Sequence, residues 1–135
     1  MSNYYEDVNG NEQLRPMERA DFENCIIYGK IESEIGIEES ENTTFNYKFN
    51  NCLIKLKESD YDISNTTHFS NNIFNENPEF IQTMDFFEYN YELDTLSAAQ
   101  NSAASNIALQ FEYDLNGNYR FTDGSPDIGA YERIE

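Results

Sequence analysis

The sequence has no tryptophan, one histidine, 8 lysine and arginine residues in total, and no long apolar run. Each shortage removes a class of function. A helix that spans a bilayer needs about 20 consecutive apolar residues, so no transmembrane segment is expected. Phosphate contacts require clustered Lys and Arg, and 26 acidic residues against those 8 basic ones give a formal charge of −18. Nucleic acid and anionic membrane surfaces are therefore excluded as partners. Two cysteines, Cys25 and Cys52, are too few for a disulfide scaffold and lack the paired spacing of a zinc site. The opening residues Met1-Ser2-Asn3-Tyr4-Tyr5-Glu6 lack the basic and apolar regions of a signal peptide. An export signal, if the protein is exported, is expected in an upstream part of a longer chain.

What is present argues for one packed domain. The mean hydropathy is −0.75, yet 39% of the 135 residues are hydrophobic, and these include 10 Tyr and 10 Phe. That supply is enough for a core and sets the chain apart from a disordered one.

The strongest signal is internal repetition. Phe22-Glu23-Asn24-Cys25-Ile26-Ile27 is matched by Phe49-Asn50-Asn51-Cys52-Leu53-Ile54 and by Phe69-Ser70-Asn71-Asn72-Ile73-Phe74, in steps of 27 and then 20 residues. Short Phe- and Ile-rich units between Asn, Ser, Thr and acidic residues read as strands bounded by turns. The spacing falls in the solenoid range. The expected fold is all-β: a right-handed parallel β-helix, represented by its last few coils and a C-terminal cap. Stacked rungs would place Phe22, Phe49 and Phe69 in an aromatic ladder. Asn24, Asn51 and Asn71 would stack at a left-handed bend, with their amides hydrogen-bonded above and below. Cys25 and Cys52 become rung neighbours, read as small buried reduced side chains. Whether Cys25 or Ile26 points inward stays open, because the bend resets the alternation.

The expected division is a leading loop over residues 1–20, rungs over 21–74 and a capping segment over 75–135. Between the first two rungs, Ile31 to Asn42 alternates Ile with Glu and predicts a strand with a wet acidic face, which Lys48, Lys55 and Lys57 would oppose. In the last segment, Asn77-Pro78-Glu79-Phe80 is turn chemistry. Phe86 to Leu93 is aromatic and partly alternating, and the Ala-rich Leu96 to Leu109 predicts a short helix or an irregular arm. This tail is expected to cover the open end of the coil.

The closing residues carry a resemblance. Asp114-Leu115-Asn116-Gly117-Asn118-Tyr119-Arg120, followed by Gly124-Ser125-Pro126-Asp127-Ile128-Gly129-Ala130-Tyr131-Glu132, resembles the C-terminal signature of bacterial right-handed parallel β-helix surface proteins of the pectate-lyase-like, choice-of-anchor Q type. The likeness extends over about residues 21 to 132. It departs from the family at Ala98 and Asn101-Ser102-Ala103, where members carry Pro and Asn-Ala-Gly. The resemblance implies a secreted or cell-surface bacterial protein, with an outer-membrane lipoprotein among the options. It also implies upstream coils of the same protein as a partner and a polysaccharide or host glycan as a ligand. It marks Asp114, Asn116, Gly117, Arg120, Asp127, Gly129, Tyr131 and Glu132 as the motif residues.

No catalytic residue is assigned. Lyase chemistry on uronic acids needs an Arg or Lys base and usually a calcium held by carboxylates, and Lys30, Lys48, Lys55 and Lys57 show no partner spacing. His68 precedes a repeat and reads as a loop residue. Asp114 to Asn118 is like the start of a calcium loop but has Gly fourth instead of sixth, so an Asn-Gly turn is expected and no cofactor is assigned, with calcium as the alternative. Asp127 reads as a cap beside Gly129, where a close backbone crossing calls for glycine, and Arg120 as a partner of one of the nearby acids. Two readings remain. One is a non-catalytic structural cap with a carbohydrate or adhesion surface; the other is the end of a polysaccharide lyase or glycoside hydrolase whose catalytic coils lie upstream.

Overall fold

A computed structural model describes residues 1–83 and 88–134. The N-terminal residues form a hairpin, β1 (Tyr4–Glu6) against β2 (Glu12–Leu14), where a loop was expected. Then come β3 (Met17–Glu23), β4 (Ile26–Ile27), β5 (Phe45–Asn50) and β6 (Leu53–Ile54). A 3-10 turn at Glu58–Asp60 leads to β7 (Phe69–Ser70) and β8 (Ile73–Phe74). Beyond these lie β9 (Phe80–Gln82), β10 (Asn90–Leu93) and the one-turn helix α1 (Ser105–Ala108). Among the described residues no helix is long and apolar enough to cross a membrane.

Each repeated unit is cut in two by its asparagine. Asn24, Asn51 and Asn71 have φ of 53°, 50° and 54°, the left-handed region that Asn tolerates better than other side chains. The bend sends the first half of each unit into one parallel sheet, in the order β3-β5-β7, and the second half into another, β4-β6-β8. Register follows the repeat: Phe22↔Phe49↔Phe69 in the first sheet, and Ile26↔Leu53↔Ile73 and Ile27↔Ile54↔Phe74 in the second.

The expected right-handed parallel β-helix is corrected by this arrangement. The described residues form four separate small sheets, two antiparallel pairs and two three-stranded parallel sheets, and not a repeat solenoid. Only three units carry the Phe-x-Asn pattern, so parallel pairing stops after three strands. The chain between the units does not extend it. The strand predicted over Ile31 to Asn42 is absent, its pairing reduced to an isolated bridge between Ser2 and Glu38. The Glu side chains have solvent there and no facing strand, while Ile35 and Ile37 turn inward onto the core. Lys55 reaches the Gly29 carbonyl at 2.9 Å instead of an acidic side chain.

Two apolar clusters share the β4-β6-β8 sheet. On one face Ile27, Ile54 and Phe74 join Phe49, Phe69, Leu56 and both cysteines. On the other, Ile26, Leu53 and Ile73 meet Leu93, Ala99 and Ile128 from the C-terminal segment. Cys25 therefore faces the first cluster and Ile26 the second. A strand covered on both faces has no polar side, which explains why the run after the bend is apolar at every position. The C-terminal segment lies along this face, where Leu93, Ala99 and Ile128 cover the apolar row of Ile26, Leu53 and Ile73. Over Leu96 to Leu109, where a short helix or an irregular arm was expected, α1 is a single helical turn within irregular chain. Phe86 and Phe87 lie outside the described residues.

The Phe rings stack: Phe22 on Phe49 at 4.7 Å between centroids and Phe49 on Phe69 at 5.6 Å, with interplanar angles of 13° and 8°. Phe49 is the middle ring and is 1% exposed. Phe49→Ala is expected to cost about 3–5 kcal/mol of unfolding free energy, against about 1–2 kcal/mol for Phe49→Leu. Denaturant titration of both variants measures this, and similar losses would show that the ring's shape contributes little.

Candidate functional site

The closing motif forms a buried polar cluster. The Asp114 carboxylate accepts the backbone N–H groups of Asn116 (2.8 Å) and Asn118 (2.7 Å), the Asn118 side-chain amide and the N–H of Glu132 (2.8 Å). Burial raises its affinity for a proton, but the N–H groups of Glu132, Asn118 and Asn116 outweigh that and hold its pKa below the usual value. A carboxylate surrounded by N–H donors in this way closes a turn. Among the described residues no three His, Cys, Asp or Glu side chains converge as a metal-ligand set.

Asp127 is 2% exposed and clamps two segments, accepting Asn101 N–H at 2.7 Å and Arg133 N–H at 2.8 Å. Burial dominates over these bonds and raises its pKa. Arg120 crosses beneath. Its guanidinium donates to the carbonyls of Gly129 (3.1 Å) and Ala130 (3.3 Å) and lies 3.5 Å from Glu132 Oε2. The arginine's acidic partner is thus Glu132 and neither of the two aspartates. Glu132 Oε2 also accepts the N–H of Asp127, whereas its Oε1 is buried with no partner. Burial pushes the Glu132 carboxyl up to about 7, with the Asp127 charge adding to the rise and the Asp127 N–H and Arg120 opposing it.

Gly129 makes the close crossing that the sequence suggested. Its φ is +114°, its N–H donates to Asn24 O at 3.0 Å, and an added Cβ would stand 2.9 Å from Ile26 Cδ1. The bend asparagines answer from the other side. Asn24 exchanges two hydrogen bonds with the backbone of Ala104, and the Asn51 amide donates to Ser102 O at 3.1 Å. The expected amide ladder between rungs is corrected accordingly: these two side chains serve the C-terminal segment instead of each other. Asn116 contacts Glu92 Oε1, Gly117 turns at φ +84°, and half-buried Tyr131 lines a surface hollow with Tyr28 and Phe80.

Several contributors were not singled out from sequence. Asn72 takes the place of a third cysteine; its Oδ1 accepts Cys52 N–H at 2.9 Å and its amide donates to Phe49 O at 2.9 Å. Asn3 is fully buried and ties the N-terminal hairpin to Ser40 through bonds of 2.7 and 2.8 Å. Asp7-Val8-Asn9-Gly10-Asn11 repeats the Asp-x-Asn-Gly-Asn turn of residues 114–118, with the same bonds from the second and fourth following N–H groups. That recurrence was a usable sequence signal. His68 stacks on Tyr47 at 4.0 Å, with Nδ1 2.9 Å from the Tyr47 carbonyl.

An aromatic cleft of about 580 Å³ lies between the end of β4 and the β9–β10 hairpin. Tyr89 and Tyr91 lie nearly parallel at 6.0 Å and 10°, and are 59% and 50% exposed. Phe80 meets Tyr91 edge-on at 5.3 Å. Lys55 sits 5.1 Å over the Tyr28 ring and steadies it, and Tyr28 also lines the cleft. Lys30, Asn77 and Glu79 supply polar groups at the rim. A smaller hollow of about 370 Å³ continues from it, sharing Tyr28, Phe80 and Tyr91.

Comparison with known proteins gives no matching family model, no matching curated protein and no matching solved structure.

The buried cluster makes two measurable statements. Arg120→Met leaves the Gly129 and Ala130 carbonyls and Glu132 without their donor and is expected to destabilise the fold by about 2–4 kcal/mol; an unchanged thermal midpoint would remove its structural role. Glu132 binds its proton more tightly folded than unfolded, so the stability linked to it is complete below its ordinary value of 4.5 and is lost as pH rises through about 7. The thermal midpoint should fall between about pH 5 and about pH 8, and Glu132→Gln should flatten that fall. A variant whose midpoint drops as steeply as the parent's would exclude Glu132 as the source.

Proposed function

We propose that this chain is a non-catalytic carbohydrate-binding surface of an exported or cell-surface bacterial protein, and that its ligand is an uncharged glycan. The observation that carries the reading is the nearly parallel, half-exposed Tyr89–Tyr91 pair, which lines the cleft together with Tyr28 and Phe80. Flat aromatic faces offer apolar area to the C–H face of a pyranose ring, and rim polar groups such as those of Lys30, Asn77 and Glu79 can bond its hydroxyls. A formal charge of −18 repels uronate and sulfated chains, which favours a neutral sugar. The exported setting is supported by the likeness of the Asp127-to-Glu132 ending to those of bacterial surface proteins.

Binding is expected on a glycan array as a preference for neutral over acidic oligosaccharides. Tyr89→Ala and Tyr91→Ala should each weaken it by about tenfold while the circular dichroism spectrum stays that of the parent. An array without binding, or variants that bind like the parent, would overturn the proposal.

A further inference from the structure

The two cysteines lie away from the cleft, on the inner side of the paired bends. Glu23↔Asn50 pair just before them and Ile26↔Leu53 just after. Because Asn24 and Asn51 turn with nearly the same φ, 53° and 50°, the two chains leave their bends on parallel courses. Leu53 N–H donates to Cys25 O at 2.9 Å, locking the register. Neighbouring strands run about 4.8 Å apart, within the roughly 4.4–6.8 Å between Cα atoms that a disulfide spans. Both side chains enter the same apolar cluster, where the Cys25 thiol donates to Glu23 O at 3.2 Å and the Cys52 thiol to Phe22 O at 3.3 Å. Cys25 is half-buried, and Cys52 is fully buried beneath it. The third unit has Asn72 at this position, so no third thiol competes.

We propose that Cys25 and Cys52 are a redox modification site that closes to an interstrand disulfide by exchange with a small-molecule disulfide such as oxidised glutathione. The roles are unequal. The neighbouring Cys52 thiol holds the Cys25 thiol below its ordinary value, and Cys25 is the more exposed of the two. The same proximity and burial push Cys52 well up. Cys25 is therefore the attacking sulfur. Its thiolate bonds to one glutathione sulfur, the glutathione S–S bond breaks, and one glutathione thiolate leaves. Cys52 then gives its proton to that thiolate and attacks the Cys25 sulfur, and the second glutathione departs as the mixed disulfide breaks. Two protein thiols are oxidised and one small disulfide is reduced to two thiols. The closed bond ties the first repeat to the second and closes the loop that carries the acidic residues 31–42.

The test uses the full chain, folded, incubated with oxidised glutathione. The expected product is a monomer lighter by two hydrogens, with no free thiol after denaturation and a thermal midpoint higher by about 5–10 °C, all reversed by dithiothreitol. Cys52→Ala should retain glutathione on Cys25, whereas Cys25→Ala should stay unmodified. A parent chain that keeps both thiols, stops at the glutathione adduct or cross-links between molecules would overturn the proposal.

Discussion

The left-handed bend at three asparagines is the constraint on which the rest of this structure depends. Asn24, Asn51 and Asn71 rotate the chain by nearly the same amount, so six short strands become two three-stranded parallel sheets in register. A strand of two residues such as β4, β6 or β8 has too few hydrogen bonds to stand alone. It persists because its bend is fixed, its neighbours repeat the bend and apolar residues cover both of its faces. The phenylalanine stack, the cysteine pair and the row of Ile26, Leu53 and Ile73 are all consequences of that shared angle.

The C-terminal segment reads the bends from outside. Gly129 N–H meets the Asn24 carbonyl, and the side chains of Asn24 and Asn51 take up backbone groups of Ala104 and Ser102. The segment also has to satisfy its own buried groups, and Asp114, Arg120, Asp127 and Glu132 do so almost completely. A polar network in a low-dielectric setting is rigid when its members are paired and costly where one is not. Glu132 Oε1 is the exception, and burial of this carboxyl raises its pKa and makes it a source of pH dependence. With the segment held down in this way, the β9–β10 hairpin projects Tyr89 and Tyr91 into solvent beside Tyr28.

Much of the local structure was legible in the sequence, and the global architecture was not. Repetition of Phe-x-Asn gave the strand register and the bends, because identical residues at equivalent positions stack and Asn is the side chain suited to positive φ. It did not determine how far pairing would propagate. Residues 31–42 alternate as a strand would, yet their backbone pairing is confined to a bridge at Ser2 and single bonds such as Glu34 N–H to Lys55 O, and alternation alone cannot supply a continuous partner edge. The asparagine amides were assigned to each other because a repeat suggests self-pairing; the backbone of residues 102–104, far away in sequence, was the better acceptor. In the closing motif Gly129 declared its tight crossing, but the Arg120–Glu132 pairing depended on a fold-back that no local pattern encodes. The cleft depends on tertiary placement too, since Tyr28 and Tyr91 are distant in the chain.

The central claim, that positive φ at the repeated asparagine holds the two parallel sheets together, is tested most directly by comparing the unfolding free energies of Asn51→Gly and Asn51→Ala. Both variants lose the bond to Ser102, so their difference isolates the backbone. The account predicts that the glycine variant is the more stable by about 1–2 kcal/mol. Equal stabilities, or a more stable alanine variant, would contradict it.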